Sequence, residues 1–278
     1  MKSKSKKHTL TRFPIKAALI VFCLLFFVYR YGIWRLLHVL KVYRIPTSPS
    51  VGSTFVNSFG IQMSWIPELQ NANTRATSGG FWISTYEVTQ SSFAEVMGHN
   101  PSSFKPLFPI DFPVESVSYA EAIEFCELLS KTEHEKGFCK TDSRYSLPTE
   151  SQWEFACRAG TTTKYHFGRT LSYKDAWFHY IDQSLQKDST EYARCMMFRK
   201  PKQPKPTGTY PPNNFGLHDM HGNVSEWCRT RADGQNGKVP TRGGSYVNIA
   251  NECAAYSRYV WPPNEKLPFV GFRIILSK

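Results

Sequence analysis

Hydrophobic periodicity divides this chain into a helical first half and an irregular second half. Three helices are marked by their ends as well as by their apolar faces. Thr89 stands ahead of Gln90–Met97 as an N-cap, and Gly98 follows where left-handed backbone stops a helix. Ser118 and Glu121 have capping-box spacing. They precede an i, i+3, i+4, i+7 face of Ala122, Phe125, Cys126 and Leu129. Thr149 and Gln152 repeat the device before Trp153, Ala156 and Cys157, and Pro148 keeps that helix from starting earlier. Beyond Gly160 the pattern changes. Gly, Pro, Asn and Asp recur, and strand-like runs are short: Gly244–Val247 and Val270–Leu276. This predicts an α+β domain with little regular secondary structure. Its loops must be held by buried side-chain networks, ions or disulfides, because buried backbone needs partners.

The N-terminus follows a different pattern. Ala17–Tyr29 is apolar and uncharged, preceded by a basic stretch. A spanning helix needs ~20 apolar residues. Tyr31, Ile33, Trp34, Leu36 and Leu37 extend the run, with Lys16 and Arg30 able to snorkel. A cleaved signal peptide is the competing reading. Residues 30–40 offer no small-x-small cleavage site, which favours an uncleaved membrane anchor. The expected organisation is a basic cytoplasmic tail at 1–14, a membrane anchor at 15–40, a Pro/Ser/Gly-rich linker at 41–57 and one domain at 58–278. More basic residues precede the apolar run than follow it, so the domain is expected outside the cytoplasm.

Charge narrows the function classes. The 278 residues carry a formal net charge of +12, but residues 1–45 hold ten Lys/Arg and no Asp or Glu. Residues 46–278 carry 24 basic and 22 acidic groups, so the domain lacks the excess that a nucleic-acid face requires. Nucleic acid is therefore excluded as a partner. Aromatics at 15% exclude a disordered chain. There is no P-loop, dinucleotide fingerprint or nucleophile elbow. The eight His show no paired zinc spacing, and His221 reads as a turn residue. Cys126 and Cys157 fall on apolar helix faces. Cys139, Cys195, Cys228 and Cys253 read as loop or exposed positions, open to one or two disulfides if the domain is extracytoplasmic.

Six blocks, in order, carry a family likeness: GFWISTYEVTQSSFAEVMG (80–98), PVESVSYAEAIEFCELLSK (113–131), YSLPTESQWEFACRAGTTTKYHFG (145–168), YPPNNFGLHDMHGNVSEW (210–227), TRGGSY (241–246) and VGFRIIL (270–276). Together they resemble the formylglycine-generating enzyme, or sulfatase-modifying factor, family, over nearly all of 58–278. The resemblance implies a variant C-type-lectin-like fold. It also implies, for the well-studied members, oxidation of a client cysteine to formylglycine with oxygen and a copper ion held by two cysteines.

Carried onto this chain by simple counting, the copper pair falls at Asn248 and Cys253, near the family's groove serine, here Ser245. Cys253, Ala254, Ala255 and Arg258 also resemble the block that follows the pair. On either alignment at least one thiolate is missing, unless another thiol such as Cys228 approaches Cys253 in space. Soft Cu(I) wants thiolates, and an amide does not replace one. The expectation is a diverged member without the oxidase, acting by ligand or partner binding at the groove. The alternatives are an active oxidase serving a protein client, and a surface-anchored lectin-like adhesion module using the variable segment 180–209. Ser245 has a plain reading too, as a turn residue after two glycines. The family calcium pattern falls on Asp219, Gly222, Val224 and Glu226, a hard-oxygen set suited to a structural Ca²⁺; a turn leading into buried Trp227 is the alternative. A second family calcium site is expected to be lost, since Ala176–Tyr180 places aromatics where a ligand Asn is usual. Arg258 and Arg273 are expected to be structural, buried against carboxylates or carbonyls.

Overall fold

A computed structural model describes residues 45–68, 79–108, 111–179, 201–230 and 237–277. The chain divides into units Met1–Val42 and Tyr43–Lys278. The basic tail, the apolar run at 15–40, Cys195 and residues 180–200 lie outside the described residues. Among those described, no helix is long and apolar enough to cross a membrane.

The three helices form where the capping signals put them. In α1 (Gln90–Met97) the Thr89 side chain accepts the Ser92 N–H, and Gly98 closes the helix at φ 76°. The boxes of α2 (Tyr119–Glu135) and α3 (Glu150–Arg158) are both reciprocal, Ser118 with Glu121 and Thr149 with Gln152. Each satisfies two N-terminal N–H groups that helix geometry would leave orphaned.

Among the described residues, nine short strands make two sheets. The larger has the order β1 (Thr54–Val56), β2 (Gln62–Ile66), β3 (Phe81–Ser84), β9 (Ile275–Ser277), β4 (Arg144–Ser146). The smaller has the order β7 (Arg258–Trp261), β6 (Val239–Arg242), β5 (Ser225–Trp227), β8 (Val270–Gly271). The β5–β8 pair is parallel and the other pairings are antiparallel. The faces of α1 and α2 bury in one core with the first sheet, where the Phe93 and Phe125 rings stack at 5.6 Å with Phe272 edge-on to both.

Two boundaries differ from the sequence expectation. The segment 41–57 is not all linker: β1 pairs with β2, and Phe55 is buried edge-on against Trp82 at 4.8 Å. Three residues are too few for a visible alternation. Gly244–Val247 is a turn rather than a strand, because Gly243 and Gly244 adopt φ of 88° and 68° and turn the chain out of β6. The run Val270–Leu276 does pair, but as β8 and β9 in different sheets. Its middle residues Phe272, Arg273 and Ile274 are fully buried between them.

Candidate functional site

The turn after β6 builds the first half of the site. Its two left-handed glycines place Ser245 with no exposed surface, and Ser245 Oγ donates to Asn248 Oδ1 at 2.6 Å. Asn248 Nδ2 then donates to Glu252 Oε2 at 3.0 Å, and the Ile249 N–H reaches the same oxygen at 3.1 Å. The amide of Asn248 is thus engaged at both ends. A 3-10 turn, Ala250–Cys253, brings Cys253 back under Gly244. Cys253 is fully buried among Tyr165, Leu171, Ala176, Phe178 and Ala254, with its thiol facing the Ser245 carbonyl at 3.9 Å. Burial pushes that thiol well above the ordinary cysteine range, so it stays protonated. Ser245, Asn248 and Cys253 do come together. As a grip for soft copper they do not fit: the set offers one protonated thiol, one neutral amide and one hydroxyl.

Cys126, Cys139, Cys157, Cys228 and Cys253 are all buried free thiols. For Cys126 and Cys157 this agrees with the apolar helix faces. For Cys139, Cys228 and Cys253 it corrects the reading as exposed or disulfide-prone positions. They sit in loops and strand ends that fold inward, and proximity to turn residues hid that burial. Cys157 Sγ lies 3.6 Å from His221 Nε2, and His221 Nδ1 lies 2.8 Å from the Cys253 carbonyl oxygen. His221 therefore carries its proton on Nδ1, and it packs in the turn as expected. His166 stacks on it with ring centroids 5.1 Å apart, a contact the sequence did not signal. Burial lowers both imidazoles, His166 to about 4 and His221 to about 3.

The second half of the site is acidic. Asp219, at φ 56°, accepts the Gly208 N–H on Oδ2 at 2.6 Å. Glu226 lies inside β5, where Arg273 Nε and Nη2 bind its two oxygens at 2.6 and 2.7 Å and Trp153 Nε1 adds a bond at 2.5 Å. Glu87 sits beneath the 222–224 loop, accepting the Val224 N–H and the Asn223 side chain. Burial raises Glu87 far above the carboxylate range, with Asp219 and Glu226 adding to the effect. Burial also raises Asp219 to about 6, with Glu226 adding and the Gly208 N–H and Arg273 opposing. Three buried carboxylates thus face one guanidinium.

Of the predicted calcium residues, Asp219 and Glu226 lie close enough to interact, and carboxylate oxygens are the donors a hard divalent cation takes. With Glu87 pushed toward its neutral form, Asp219 and Glu226 leave one negative charge beyond Arg273, Asp219 Oδ1 is unengaged by the bonds above, and Glu226 Oε1 carries a single one. Among the described residues no three His, Cys, Asp or Glu side chains converge as metal ligands by themselves. The carbonyls of Gly222 and Val224 would have to complete the set. Gly222 has no room for a side chain: at φ 85°, a Cβ would fall 2.3 Å from the Trp177 carbonyl oxygen.

The remaining expected residues divide. Arg273 is wholly buried on Glu226, and Trp227 is buried with Nε1 donating to Val117 O at 2.9 Å. Arg258 is corrected: it is 39% exposed and pairs with Glu150 at 2.8 Å on the surface. The buried arginine there is Arg242, held by Glu150 and Glu154. In the Ala176–Tyr180 segment, the Trp177 carbonyl accepts the Asn223 N–H and the His179 N–H donates to Asn248 O. Both halves of the site are therefore stitched to it. Sequence reading missed Glu87, and its neighbours Thr85, Tyr86, Val88 and Thr89 carry no signal for it.

This two-sheet frame with its buried turn after β6 defines a class. The chain belongs to the family of the sulfatase-modifying factor enzyme 1-like domain, whose profile matches residues 52–278. Among its relatives is the chaperone protein LppX of Paenibacillus barcinonensis, 27% identical and spanning 74% of this chain and 84% of that one. The formylglycine-generating enzyme of Mus musculus is 27% identical over 58% of this chain. The inactive C-alpha-formylglycine-generating enzyme 2 of Bos taurus is also 27% identical, over 59%. The matches span 43% and 50% of those two proteins. Among solved structures, PvdO from Pseudomonas aeruginosa superposes with a TM-score of 0.60 at 18% identity, covering 83% of this chain and all of that one. Treponema denticola variable protein 1 gives 0.58 at 23%, covering 83% and 99%. These likenesses establish the fold, and both active and inactive enzymes stand among the relatives.

Proposed function

We propose that this chain is a membrane-anchored family member that has no copper-thiolate oxidase activity and acts by binding a partner protein or ligand at the groove around Ser245 and Asn248. The observation that carries this reading is the side-chain relay from Ser245 through Asn248 to Glu252. It fills the place of one copper thiolate with a neutral, doubly engaged amide, beside a Cys253 thiol that burial keeps protonated. A relative named as a chaperone spans most of both chains, which supports a protein as the occupant.

The acidic cluster has a structural role in this reading. Asp219 and Glu226, with the carbonyls of Gly222 and Val224, would hold Ca²⁺, which supplies positive charge and no bond-making chemistry. The chain's own residues do the rest. Gly222 lets the loop close on Trp177, Glu87 holds the loop from below, and Arg273 ties Glu226 to the carbonyls of Ser84 and His218.

The test is oxygen consumption by the purified full chain, loaded with Cu(I) and given a cysteine-containing client peptide. The reading predicts the rate of the peptide-free control and no aldehyde in the peptide. Sustained turnover with formylglycine formation would reinstate the oxidase.

A further inference from the structure

The segment after Pro201 lays a lysine on a tryptophan. Lys205 Nζ stands 4.5 Å from the centre of the Trp177 ring and 6.0 Å from that of Tyr210. The backbone behind it is tied down. Trp177 Nε1 donates to Gln203 O at 3.0 Å, and Pro204 is buried. The Lys205 N–H donates to Asn223 Oδ1 at 2.9 Å, and Asn223 Nδ2 donates back to Lys205 O at 3.3 Å. Pro206 confines Lys205 to extended backbone. Asn223 also ties this corner to the groove. Its N–H donates to Trp177 O at 2.7 Å, and its carbonyl accepts the N–H of Tyr246, next to Ser245, at 2.8 Å. The ammonium is the exception in this network. Lys205 is half-buried, yet among the described residues its charged nitrogen has no ion pair and its N–H donors meet no acceptor.

We propose that Lys205 and Trp177 form a subsite that takes a carboxylate side chain of the bound partner protein. The inference rests on the partner-binding reading above and names what that partner presents. An aromatic face holds a cation by its charge and leaves the N–H donors free. An ammonium already held in place loses little freedom when a carboxylate meets it, and the bond that forms is charge-assisted. The charge balance favours a single carboxylate over a polyanion. Residues 46–278 carry 24 basic and 22 acidic groups, too small an excess to hold nucleic acid or an anionic lipid surface.

The experiment measures binding of a fluorescein-labelled hexaglutamate peptide to the copper-free full chain in detergent. Fluorescence anisotropy at low ionic strength is the readout, and labelled hexaglutamine is the neutral control. Only hexaglutamate is expected to bind. Lys205→Gln should weaken it at least ~5-fold, the scale of one charge-assisted bond at a partly exposed site. Trp177→Leu should weaken it in the same direction by freeing the ammonium. Lys140→Gln, at an exposed lysine without an ion pair, should leave it unchanged. Equal losses at 205 and 140 would mean diffuse attraction and overturn the subsite. Equal binding of the two peptides would overturn it too, as would Lys205-dependent capture of phosphatidylglycerol vesicles in place of the peptide. The groove reading fails separately, by copper-dependent turnover with formylglycine formation.

Discussion

Replacing Arg273 by Met removes the one guanidinium that faces three buried carboxylates. The methionine keeps much of the apolar volume, so the effect is electrostatic. Lost are two charged bonds to Glu226, and donors to Ser84 O at 3.1 Å and His218 O at 2.9 Å. Breaking a buried pair from one side costs about 3–5 kcal/mol, because the surviving charge stays buried and unpaired. For a domain of this size, each kcal/mol shifts Tm by about 2–4 °C, so the drop should be roughly 6–20 °C. Thermal unfolding by calorimetry reads it directly. The double variant Arg273→Met/Glu226→Gln should recover part of the loss, since it removes the stranded charge. A drop below about 3 °C would show that Arg273 is dispensable and that the cluster is not held as described. So would a double variant that simply sums the two single losses, because residues in contact should couple.

Calcium should stabilise the domain. At a hundred times its Kd an ion that binds only the folded state adds about 2.7 kcal/mol, which Asp219→Ala should abolish; calorimetry with Ca²⁺ against EDTA checks both. Gly222→Ala should cost more than about 3 kcal/mol, because the residue is at φ 85° and its Cβ would meet the Trp177 carbonyl; denaturant unfolding measures it. His166 should make stability acid-sensitive. Its folded value of about 4 lies below the unfolded one, so the unfolded state binds the proton first. Stability is then complete above about pH 6.5 and declines as pH falls toward about 4, by about 1–2 kcal/mol once partial exposure is allowed for. His166→Asn should reduce that slope in denaturant titrations at stepped pH, and the remainder belongs to His221, which burial lowers further, to about 3.

The helices were legible because a capping box is a local statement: Ser118 with Glu121 and Thr149 with Gln152 form it whatever surrounds them. The acidic cluster was half legible. Asp219, Gly222, Val224 and Glu226 lie within eight residues of one another, whereas Glu87 joins from 132 residues away. Nothing near Glu87 in sequence says that it turns inward. Short strands failed for a related reason. β1 has only three residues, and its place comes from pairing with β2 and from Phe55 meeting Trp82, not from its own pattern. Gly244–Val247 failed the other way: small and β-branched residues suggested a strand, and two left-handed glycines made a turn. The inward Cys139, Cys228 and Cys253 show that turn-rich sequence is a poor guide to exposure where loops themselves form the core.

The most direct measurement is Cu(I) affinity at Cys253, by chelator competition on the full chain and its Cys253→Ser variant. A buried, protonated sulfur beside a neutral amide predicts the same weak binding in both proteins. One equivalent of tightly held Cu(I) that vanishes with Cys253→Ser would contradict it.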